Sequence, residues 1–375
     1  MDRGPVAEID LEVIAHNYRI VKKITKNKAV MAVVKADAYG HGAIEVSRRL
    51  VKEGISYLAV AYTAEAIALR QAGIKTPIIV LFDRHDIPDY FKYDLIPVIH
   101  DIKTAQTFSK EAKKRKQGIN VHIKADTGMG RLGFDIEGLA GKINSIAKMD
   151  SIIVTGLMSH FSDADLSDRS YALIQLDRFN SLRDTLIKRG IDAGLYHMAN
   201  SAAVMSLPES HFDAVRPGLM LYGYSPSSLV PRPSSLLRPA MTVRTKILSL
   251  RRFRKGTPVS YGRTFITARE SLIAVLPLGY ADGYTRDFSN NSEVLIRGKR
   301  APVVGRVCMD LTMVDVTDVR DVAEGDDVIL IGKQKKDTIT ASELAMKART
   351  IPYEILTSLG NRARRVYLHA PLILC

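Results

Sequence analysis

The chain has 375 residues, 46% of them hydrophobic and 25% charged, as expected for a globular protein large enough for two domains. No apolar stretch approaches the roughly 20 residues that a membrane helix needs, no signal-peptide core follows the N-terminus, and the two cysteines give neither a disulfide framework nor a metal-binding pattern. The formal net charge of +14 is spread along the whole chain without the aromatic pattern of RNA-binding proteins, so the composition predicts a cytoplasmic protein with no membrane or nucleic-acid partner.

Apolar runs alternate with helical patterns over the N-terminal part of the chain. Eight runs are predicted to be strands, at residues 30–34, 57–62, 77–82, 95–99, 119–124, 152–157, 195–198 and 212–216. Strands that alternate with helices form parallel βα units, and eight such units predict a (β/α)8 barrel of the TIM type. An open doubly wound sheet is the alternative, but it normally carries a glycine fingerprint that Tyr39-Gly40-His41-Gly42 does not match.

The character of the sequence changes after a segment rich in proline and serine, residues 225–235, which is predicted to be a linker. A capping box at Thr340–Glu343 and a proline at 352 predict two helices near the end. The remaining segments are predicted to be short strands, at residues 241–250, 272–278, 293–296, 302–308, 312–316, 327–331 and 364–368. We therefore predict a barrel domain over residues 1–232 and a mostly-β domain, a compact barrel or sandwich, over residues 233–375.

Polar residues end or closely follow five of the predicted barrel strands. Because active sites of such barrels lie at the C-terminal ends of the strands, these residues are expected to meet at one mouth. Each has an ordinary structural explanation alone, but their convergence predicts an active site. They are Lys35, Lys124, His160, Asn200-Ser201 and Arg216.

Lys35 ends the first apolar run, where burial favours the neutral amine that attacks a carbonyl to form a Schiff base. Ser201 at a helix start, and Gly218 where a ligand can approach the backbone closely, predict a phosphate site after strands seven and eight. A Schiff-base lysine together with a phosphate site predicts pyridoxal 5′-phosphate (PLP) as the cofactor. Arg216 is placed to contact its pyridine nitrogen.

Tyr261, between Ser260 and Gly262 in the second domain, has two interpretations. The simpler one is an aromatic residue in a turn. As a catalytic base it would need a phenol pKa well below its usual value of about 10. Nearby cations such as Arg131 and Arg216 would lower it in that way.

A set of motifs spread over essentially the whole chain resembles the alanine racemase family. Each motif is weak alone, and their order along the chain makes the resemblance specific. They are AEIDL from residue 7, AVVKADAYGHG from 32, KADTGMGRLG from 124, MSHF from 158, NSAA from 200, RPG from 216, VSYG from 259, GYADGY from 279, GRVCMD from 305 and PYE from 352. The resemblance implies a PLP-dependent enzyme of fold type III that interconverts L- and D-alanine and supplies D-alanine for peptidoglycan, with a homodimer as its assembly.

The resemblance also implies roles for the catalytic residues. Lys35 would hold the cofactor and act as a base on one face of the substrate, and Tyr261 of the partner subunit would act on the other face. Two bases are needed because the α proton leaves from one side and returns on the other. His160 would hydrogen-bond Tyr261 and Arg216, and Arg131 would bind the substrate carboxylate and the phenolic oxygen of the cofactor.

Further roles follow from the same resemblance. Lys124 would be the position that is often carbamylated in this family, holding Arg131 in place. Met309 of the partner subunit would donate a backbone N–H to the substrate carboxylate. The phosphate would be bound by Tyr39, Ser201, Gly218, Leu219 and Tyr353. Tyr280, Arg286 and Arg306 would line the access channel, and Cys308 and Asp310 would support the site.

Three alternatives stay open at this point. A PLP-dependent amino-acid decarboxylase has the same fold, but it would pair the ring nitrogen with an acidic residue and use a cysteine as proton donor, where this chain has Arg216 and Tyr261. A racemase for serine or for several amino acids is nearer, although Tyr353 and the Lys124–Arg131 pair favour a small pocket suited to alanine. A non-enzymatic PLP-binding protein would resemble the barrel alone.

Overall fold

The structure is a computed structural model that describes residues 4–226 and 236–369. The chain divides into two compact units. The first comprises residues 14–38, 43–226 and 236–238, and the second comprises residues 4–13, 39–42 and 239–369. None of the described helices combines the length and the apolar character needed to cross a lipid bilayer.

The first unit is a closed barrel of parallel strands. Neighbouring strands pair in parallel, and the last pairs with the first, with Ala214 opposite Ala29. In chain order the eight strands are Ala29–Val33, Tyr57–Val60, Ile78–Val80, Leu95–Ile99, Ile119–Asp126, Ile152–Met158, Leu195–His197 and Ala214–Val215. Phe134–Asp135 pairs beside the end of the fifth of them. The predicted (β/α)8 barrel is confirmed.

Helices separate the barrel strands, as their periodicity predicts. The long helix Ser170–Lys188 buries Ala172, Leu176 and Phe179 on one face, at spacings of four and three residues. The helices of this unit are Ala43–Lys52, Thr63–Gln71, Ile87–Lys92, Ile102–Arg115, Leu139–Ala147, Ser170–Lys188 and Ser201–Ser206, together with the part of Leu11–Ile24 from Ile14 onward. The barrel strands are covered on the outside by helices and packed with side chains on the inside, so both faces of each strand are buried. This explains continuous apolar runs such as Leu95–Ile99.

The second unit is built mainly of short strands, so the predicted mostly-β domain is confirmed. Its largest sheet has the strand order Lys299–Pro302, Glu293–Ile296, Asp327–Gln334, Met241–Lys246, Val6–Asp10 and Arg364–Leu368, with Asp337–Ile339 paired to Asp327–Gln334. The smaller sheets are Ser249–Phe253, Ser271–Leu276 and Thr312–Asp315, and the pair Pro258–Val259 and Phe265–Ile266. The helices are Ala341–Lys347, capped by Thr340 as predicted, and Pro352–Arg362.

Two predicted strands of this unit are wrong in extent. The strand placed at 302–308 lies instead at Lys299–Pro302. Beyond it Val303 changes partner and forms only an isolated bridge to Val314, and Gly305, with a positive φ of 74°, turns the chain before residue 308. The strand placed at 241–250 is two strands, because Met241–Lys246 and Ser249–Phe253 pair in different sheets.

The N-terminal residues differ from the predicted domain division. Val6–Asp10, predicted to be part of the barrel domain, pairs antiparallel with Met241–Lys246 and parallel with Arg364–Leu368. These hydrogen bonds draw residues 4–13 into the second unit. The predicted boundary between residues 232 and 233, and most of the predicted linker, lie outside the described residues, so the boundary stays a prediction.

Candidate active site

The first barrel strand is followed by a left-handed backbone turn. Residues 36–39 all have positive φ, between 50° and 55°, so the chain makes one left-handed helical turn directly after Lys35. This conformation costs roughly 1–2 kcal/mol for each residue that is not glycine, so the surroundings must hold it. Glu65 does so, because its carboxylate accepts the N–H groups of Ala36 (2.6 Å) and Ala61 (2.7 Å). The turn fixes the point at which Lys35 leaves the strand.

Basic side chains gather around Lys35. The Lys35 Nζ and the Arg131 Cζ lie 5.3 and 5.7 Å from the centroid of the same ring, Phe82. Burial, and then the charge of Arg131, lower the pKa of the Lys35 amine. Burial together with Arg131 and Arg216 lowers the pKa of Lys124 to about 8. Both lysines therefore have a larger neutral, nucleophilic fraction near neutral pH than ordinary lysines.

Arg131 lies in the loop that follows the fifth barrel strand. Asp126, at the end of that strand, organises the loop by accepting the N–H groups of Gly128 (2.9 Å), Met129 (2.8 Å) and Gly130 (2.9 Å). Gly133 is required where the loop returns, since its φ is +126° and a Cβ there would lie 2.9 Å from the Asp126 nitrogen. The loop therefore fixes the backbone on both sides of Arg131.

His160 joins the cluster from the loop after the sixth strand. Its Nδ1 lies 3.4 Å from Nη2 of Arg216, and its carbonyl accepts a hydrogen bond from Gln175 Nε2 at 3.2 Å. Burial, followed by the charges of Arg216 and Lys124, lowers the His160 pKa well below its ordinary value. The imidazole is thus neutral at neutral pH. Because a guanidinium only donates, Nδ1 must accept and the His160 proton sits on Nε2.

Two histidines, His197 and His122, form a chain of hydrogen bonds that begins at Arg216. The buried guanidinium donates to the carbonyl of His197 (2.8 Å) and to its Nδ1 (2.7 Å), and also to the carbonyl of Ser159. His197 must therefore carry its proton on Nε2, which donates to Nδ1 of His122 at 2.9 Å. Gly156 makes room for the second ring, since a Cβ there would lie 2.6 Å from it. This chain of hydrogen bonds from Arg216 through His197 to His122, called the histidine relay below, fixes the direction of the Arg216 side chain and the tautomer of each histidine.

If the histidine relay stabilises the fold, substitutions of His122 and His197 should lower the free energy of unfolding in a non-additive way. His122→Phe leaves the buried Nε2–H of His197 without an acceptor, so the free energy of unfolding should fall by about 1–3 kcal/mol. Urea unfolding at one protein concentration measures this change. In the double variant with His197→Phe, the total loss should be smaller than the sum of the two single losses, because the hydrogen bond between the two rings can be broken only once. Strictly additive losses would contradict the relay.

The predicted phosphate-binding residues of the barrel also converge. Asn200 caps the helix that begins at Ser201, accepting the Ala203 N–H at 3.0 Å. The Ser201 hydroxyl oxygen accepts the N–H groups of Gly218 (3.0 Å) and Met220 (3.3 Å). One buried hydroxyl thus joins the loops that follow the seventh and eighth strands. Leu219 lies between the two N–H donors, at the start of the 3-10 helix Leu219–Tyr222.

Tyr39 and Tyr353 lie together within the second unit. Their ring centroids are 5.7 Å apart. Gly40, next to Tyr39, packs on the helix that carries Tyr353, since a Cβ there would lie 2.4 Å from the Leu356 carbonyl oxygen. Burial raises the pKa of the Tyr39 phenol, which therefore keeps its proton and can donate it in a hydrogen bond.

Tyr261 belongs to a surface of the second unit that exposes large side chains. Tyr261 is 70% exposed and Met309 is 54% exposed. Ser260 carries Tyr261 into this position with a φ of +67°, and its hydroxyl donates to the Arg306 carbonyl at 2.6 Å and lies 3.6 Å from Cys308 Sγ. Exposed apolar residues in one patch are typical of a surface that contacts another chain.

The remaining candidates are linked by hydrogen bonds, or by chain continuity in the case of Asp310, to the segment that carries Met309. Tyr280 donates its N–H to the Cys308 carbonyl at 3.0 Å. The Asp310 carboxylate pairs with Arg362 at 3.0 Å. The carbonyl of Arg286 accepts the hydroxyl of Ser289, whose oxygen in turn accepts the Val307 N–H at 3.0 Å. The surface therefore includes Tyr261, Tyr280, Arg286, Arg306, Cys308, Met309 and Asp310.

Comparison with known proteins identifies the family. The family model for the N-terminal domain of alanine racemase matches residues 9–226, and the model for its C-terminal domain matches residues 240–367. The chain belongs to the alanine racemase family. The family member from Thermodesulfovibrio yellowstonii is 51% identical over 98% of this chain and 99% of its own length. The one from Carboxydothermus hydrogenoformans is 44% identical over 96% and 99%.

Solved structures of the alanine racemase family agree with this assignment. The crystal structure from the D-cycloserine producer Streptomyces lavendulae matches with a TM-score of 0.93 and 36% identity, covering 98% of both chains. The Clostridium difficile 630 structure matches with a TM-score of 0.92 and 38% identity, covering 98% of this chain and 96% of its own. These matches confirm the predicted fold and the predicted enzyme, an alanine racemase.

Sequence reasoning missed several residues of this family member's site. His122 and His197 were not predicted, although His122 and Lys124 are two residues apart in a strand and so share a face. Glu65 and the left-handed turn it supports carry no glycine or proline signal. Among the described residues, no group of three or more histidine, cysteine, aspartate or glutamate side chains is arranged to hold a metal ion.

Proposed function

We propose that this protein interconverts L- and D-alanine with PLP as cofactor, and that Lys35 and Tyr261 exchange the α proton on opposite faces of the substrate. The observation that carries the proposal is the mouth of the barrel. There Lys35, whose amine pKa is lowered, stands at the start of a strained turn and near Arg131. Lys124 and Arg216 lie close enough for the charge of Arg216 to lower the pKa of Lys124. The product would supply peptidoglycan synthesis in the cytoplasm, as the family resemblance implies.

The residues of the barrel fit the three polar parts of PLP. The Lys35 amine suits the aldehyde carbon, and the loops joined through Ser201 suit the phosphate. Arg216 offers a guanidinium N–H to the pyridine nitrogen. Leu219 and Gly218 supply backbone at the phosphate, and Tyr39 and Tyr353 are proposed as further phosphate ligands on the family resemblance alone.

Charge supports an anionic cofactor and substrate. In the described part of the chain, no carboxylate forms an ion pair with Lys35, Lys124, Arg131 or Arg216. Of these four residues Lys124 and Arg216 are buried, and buried positive charges without an ion-pair partner are unfavourable. A phosphate and a substrate carboxylate would neutralise this excess, and Arg131 is the proposed partner of the carboxylate.

The bound cofactor would withdraw electrons from the α carbon and so make its proton removable. Lys35 would then accept or return that proton on one face, which its lowered pKa favours. Arg216 cannot give up a proton to the pyridine nitrogen, so it would limit how much charge the ring takes up and suppress side reactions. The His160 Nε2–H would orient the phenol of Tyr261 of the partner subunit.

A homodimer would bring the second base to the site. Tyr261 and Met309 are exposed on their own unit, as residues that act in a neighbouring subunit would be in a single chain. The proposed assembly is therefore a dimer in which each active site takes Tyr261 and Met309 from the partner subunit. Tyr280, Arg286 and Arg306 would line the access channel, with Cys308 and Asp310 supporting it.

Solvent labelling tests the two-base proposal. L-alanine is incubated with the protein and PLP in D2O, and the two enantiomers are separated early in the reaction and examined by mass spectrometry. With two bases, D-alanine should carry deuterium at the α carbon from the first turnovers, whereas recovered L-alanine should stay largely unlabelled. Equal early labelling of both enantiomers would indicate a single base and contradict the proposal.

A further inference from the structure

His100 and Lys124 are cross-strand neighbours at the mouth of the barrel. The fourth and fifth strands pair in parallel with Ile99 opposite Ile123, so the next residues in register are His100 and Lys124. His122 contacts His197, two strands away, across the barrel interior. Lys124 lies two residues after His122 in the same strand and therefore points inward as well. His100 is 8% exposed and Lys124 is 2% exposed.

The His100 ring has hydrogen-bonding capacity that the described residues do not use. Both ring nitrogens are fully buried and neither makes a hydrogen bond. The Leu81 backbone lies near the ring but does not meet hydrogen-bond geometry. Asp101 fixes the backbone at this point by capping the next helix, accepting the Thr104 N–H at 2.7 Å. A buried, fixed and unpaired polar ring is unfavourable unless a partner comes to it.

A carbamate formed on Lys124 would supply a hydrogen-bond acceptor for the His100 ring, and the surroundings of Lys124 favour its formation. Three cations, Lys35, Arg131 and Arg216, act on its amine against one acidic neighbour, Asp126, and within the described residues no carboxylate forms an ion pair with it. A neutral amine adds CO2: the nitrogen lone pair forms an N–C bond, one C=O bond becomes C–O⁻, and one N–H proton leaves to water. The product is a carbamate, so the charge at Lys124 changes from positive to negative amid cations.

We propose that His100 is a positioning residue that donates a ring N–H to a carbamate on Lys124 and so holds the carbamate toward Arg131. The inference rests on the proposed function for the carbamate itself, which the family resemblance implies at Lys124. The role of His100 comes from the strand register and its two unpaired nitrogens. With one carbamate oxygen bound by His100, the other is free to pair with the Arg131 guanidinium.

The test measures carbamate occupancy rather than activity. Holoenzyme is titrated with ¹³C-labelled bicarbonate at fixed pH, and the carbamate carbon is followed by ¹³C NMR; Lys124→Ala identifies the resonance by its loss. His100→Phe keeps an aromatic ring but removes the donor, and should raise the half-saturating CO2 concentration about tenfold, as expected for a hydrogen bond to a charged group. His100→Asn retains an N–H donor and, as the matched control, should stay within about threefold of wild type.

Two outcomes overturn the inference: an unchanged half-saturating concentration in His100→Phe, or no Lys124-dependent resonance in the wild type. If His100→Phe does not fold, the wild-type ring itself reports the contact. Adding CO2 to protein with ¹⁵N-labelled histidine should shift the His100 ring resonances, and Lys124→Ala should abolish the shift; no shift overturns the inference. Failure of the proposed function is distinguishable, because wild-type protein would then not racemise alanine, whatever its carbamate signal.

Discussion

Replacing Lys35 with alanine should abolish racemisation, lowering kcat/KM by at least about 10³-fold, because the substitution removes both the proposed cofactor anchor and one of the two bases. The visible absorbance of lysine-bound PLP should disappear at the same time. Lys35 leaves the first barrel strand through a left-handed turn that no other amine of the site shares. Neighbouring Lys124 starts from a different strand and should not replace it.

The control for this variant is Lys52→Ala, which removes an exposed lysine at the end of the helix Ala43–Lys52. It should leave both the absorbance and kcat/KM unchanged. Circular dichroism establishes that Lys35→Ala is folded. Racemisation within tenfold of wild type in folded Lys35→Ala would show that the central assignment is wrong.

Tyr261→Phe should remove α-proton exchange from L-alanine far more than from D-alanine, by about 10²–10⁴-fold, because only one face of the substrate loses its base. Tyr261 is 70% exposed, so stability should change little. Proton exchange from each enantiomer in D2O, followed by NMR, measures the asymmetry. Tyr62→Phe, at a tyrosine 59% exposed, is the matched control and should alter neither rate. Equal losses from both enantiomers would refute the two-base account.

Mixing the two inactive variants tests whether Tyr261 acts in the partner's site. In a dimer of one Lys35→Ala chain and one Tyr261→Phe chain, one site would combine an intact Lys35 with an intact Tyr261 of the partner subunit. After unfolding and refolding an equal mixture, about a quarter of the wild-type activity should return, since half the dimers are mixed and half their sites intact. No recovery would indicate that both bases come from one chain.

The barrel was predictable because local sequence reports burial directly. A strand such as Leu95–Ile99, buried at every residue, must be a continuous apolar run when both faces are covered. The second unit was less predictable from local sequence, because its sheets pair segments that are far apart in the chain. Val6–Asp10 finds its partners at Met241–Lys246 and Arg364–Leu368, and no local periodicity specifies such pairings. The strands there are also short, and an apolar run such as 302–308 contains a change of partner at Val303 and a turn at Gly305 that the pattern does not reveal.

The candidate site likewise contains residues that local sequence predicted and residues that depend on tertiary contacts. Lys35, Lys124 and Arg216 were placed by one rule, that barrel strands end at a common mouth. The histidine relay was not, because His122 and His197 meet across the barrel interior from strands that are not neighbours. The left-handed turn depends on Glu65, which follows a later strand. Side-chain contacts of this kind depend on register and packing, which spacing in the sequence does not encode.

The most direct test of the central claim is chiral analysis of alanine incubated with the protein and PLP, starting separately from pure L-alanine and pure D-alanine. Because the enantiomers have equal free energies in water, both reactions should end at equal amounts of the two forms, with no loss of total alanine. Serine under the same conditions should react more slowly. Release of CO2 with an amine product, or the absence of D-alanine from L-alanine, would contradict the account.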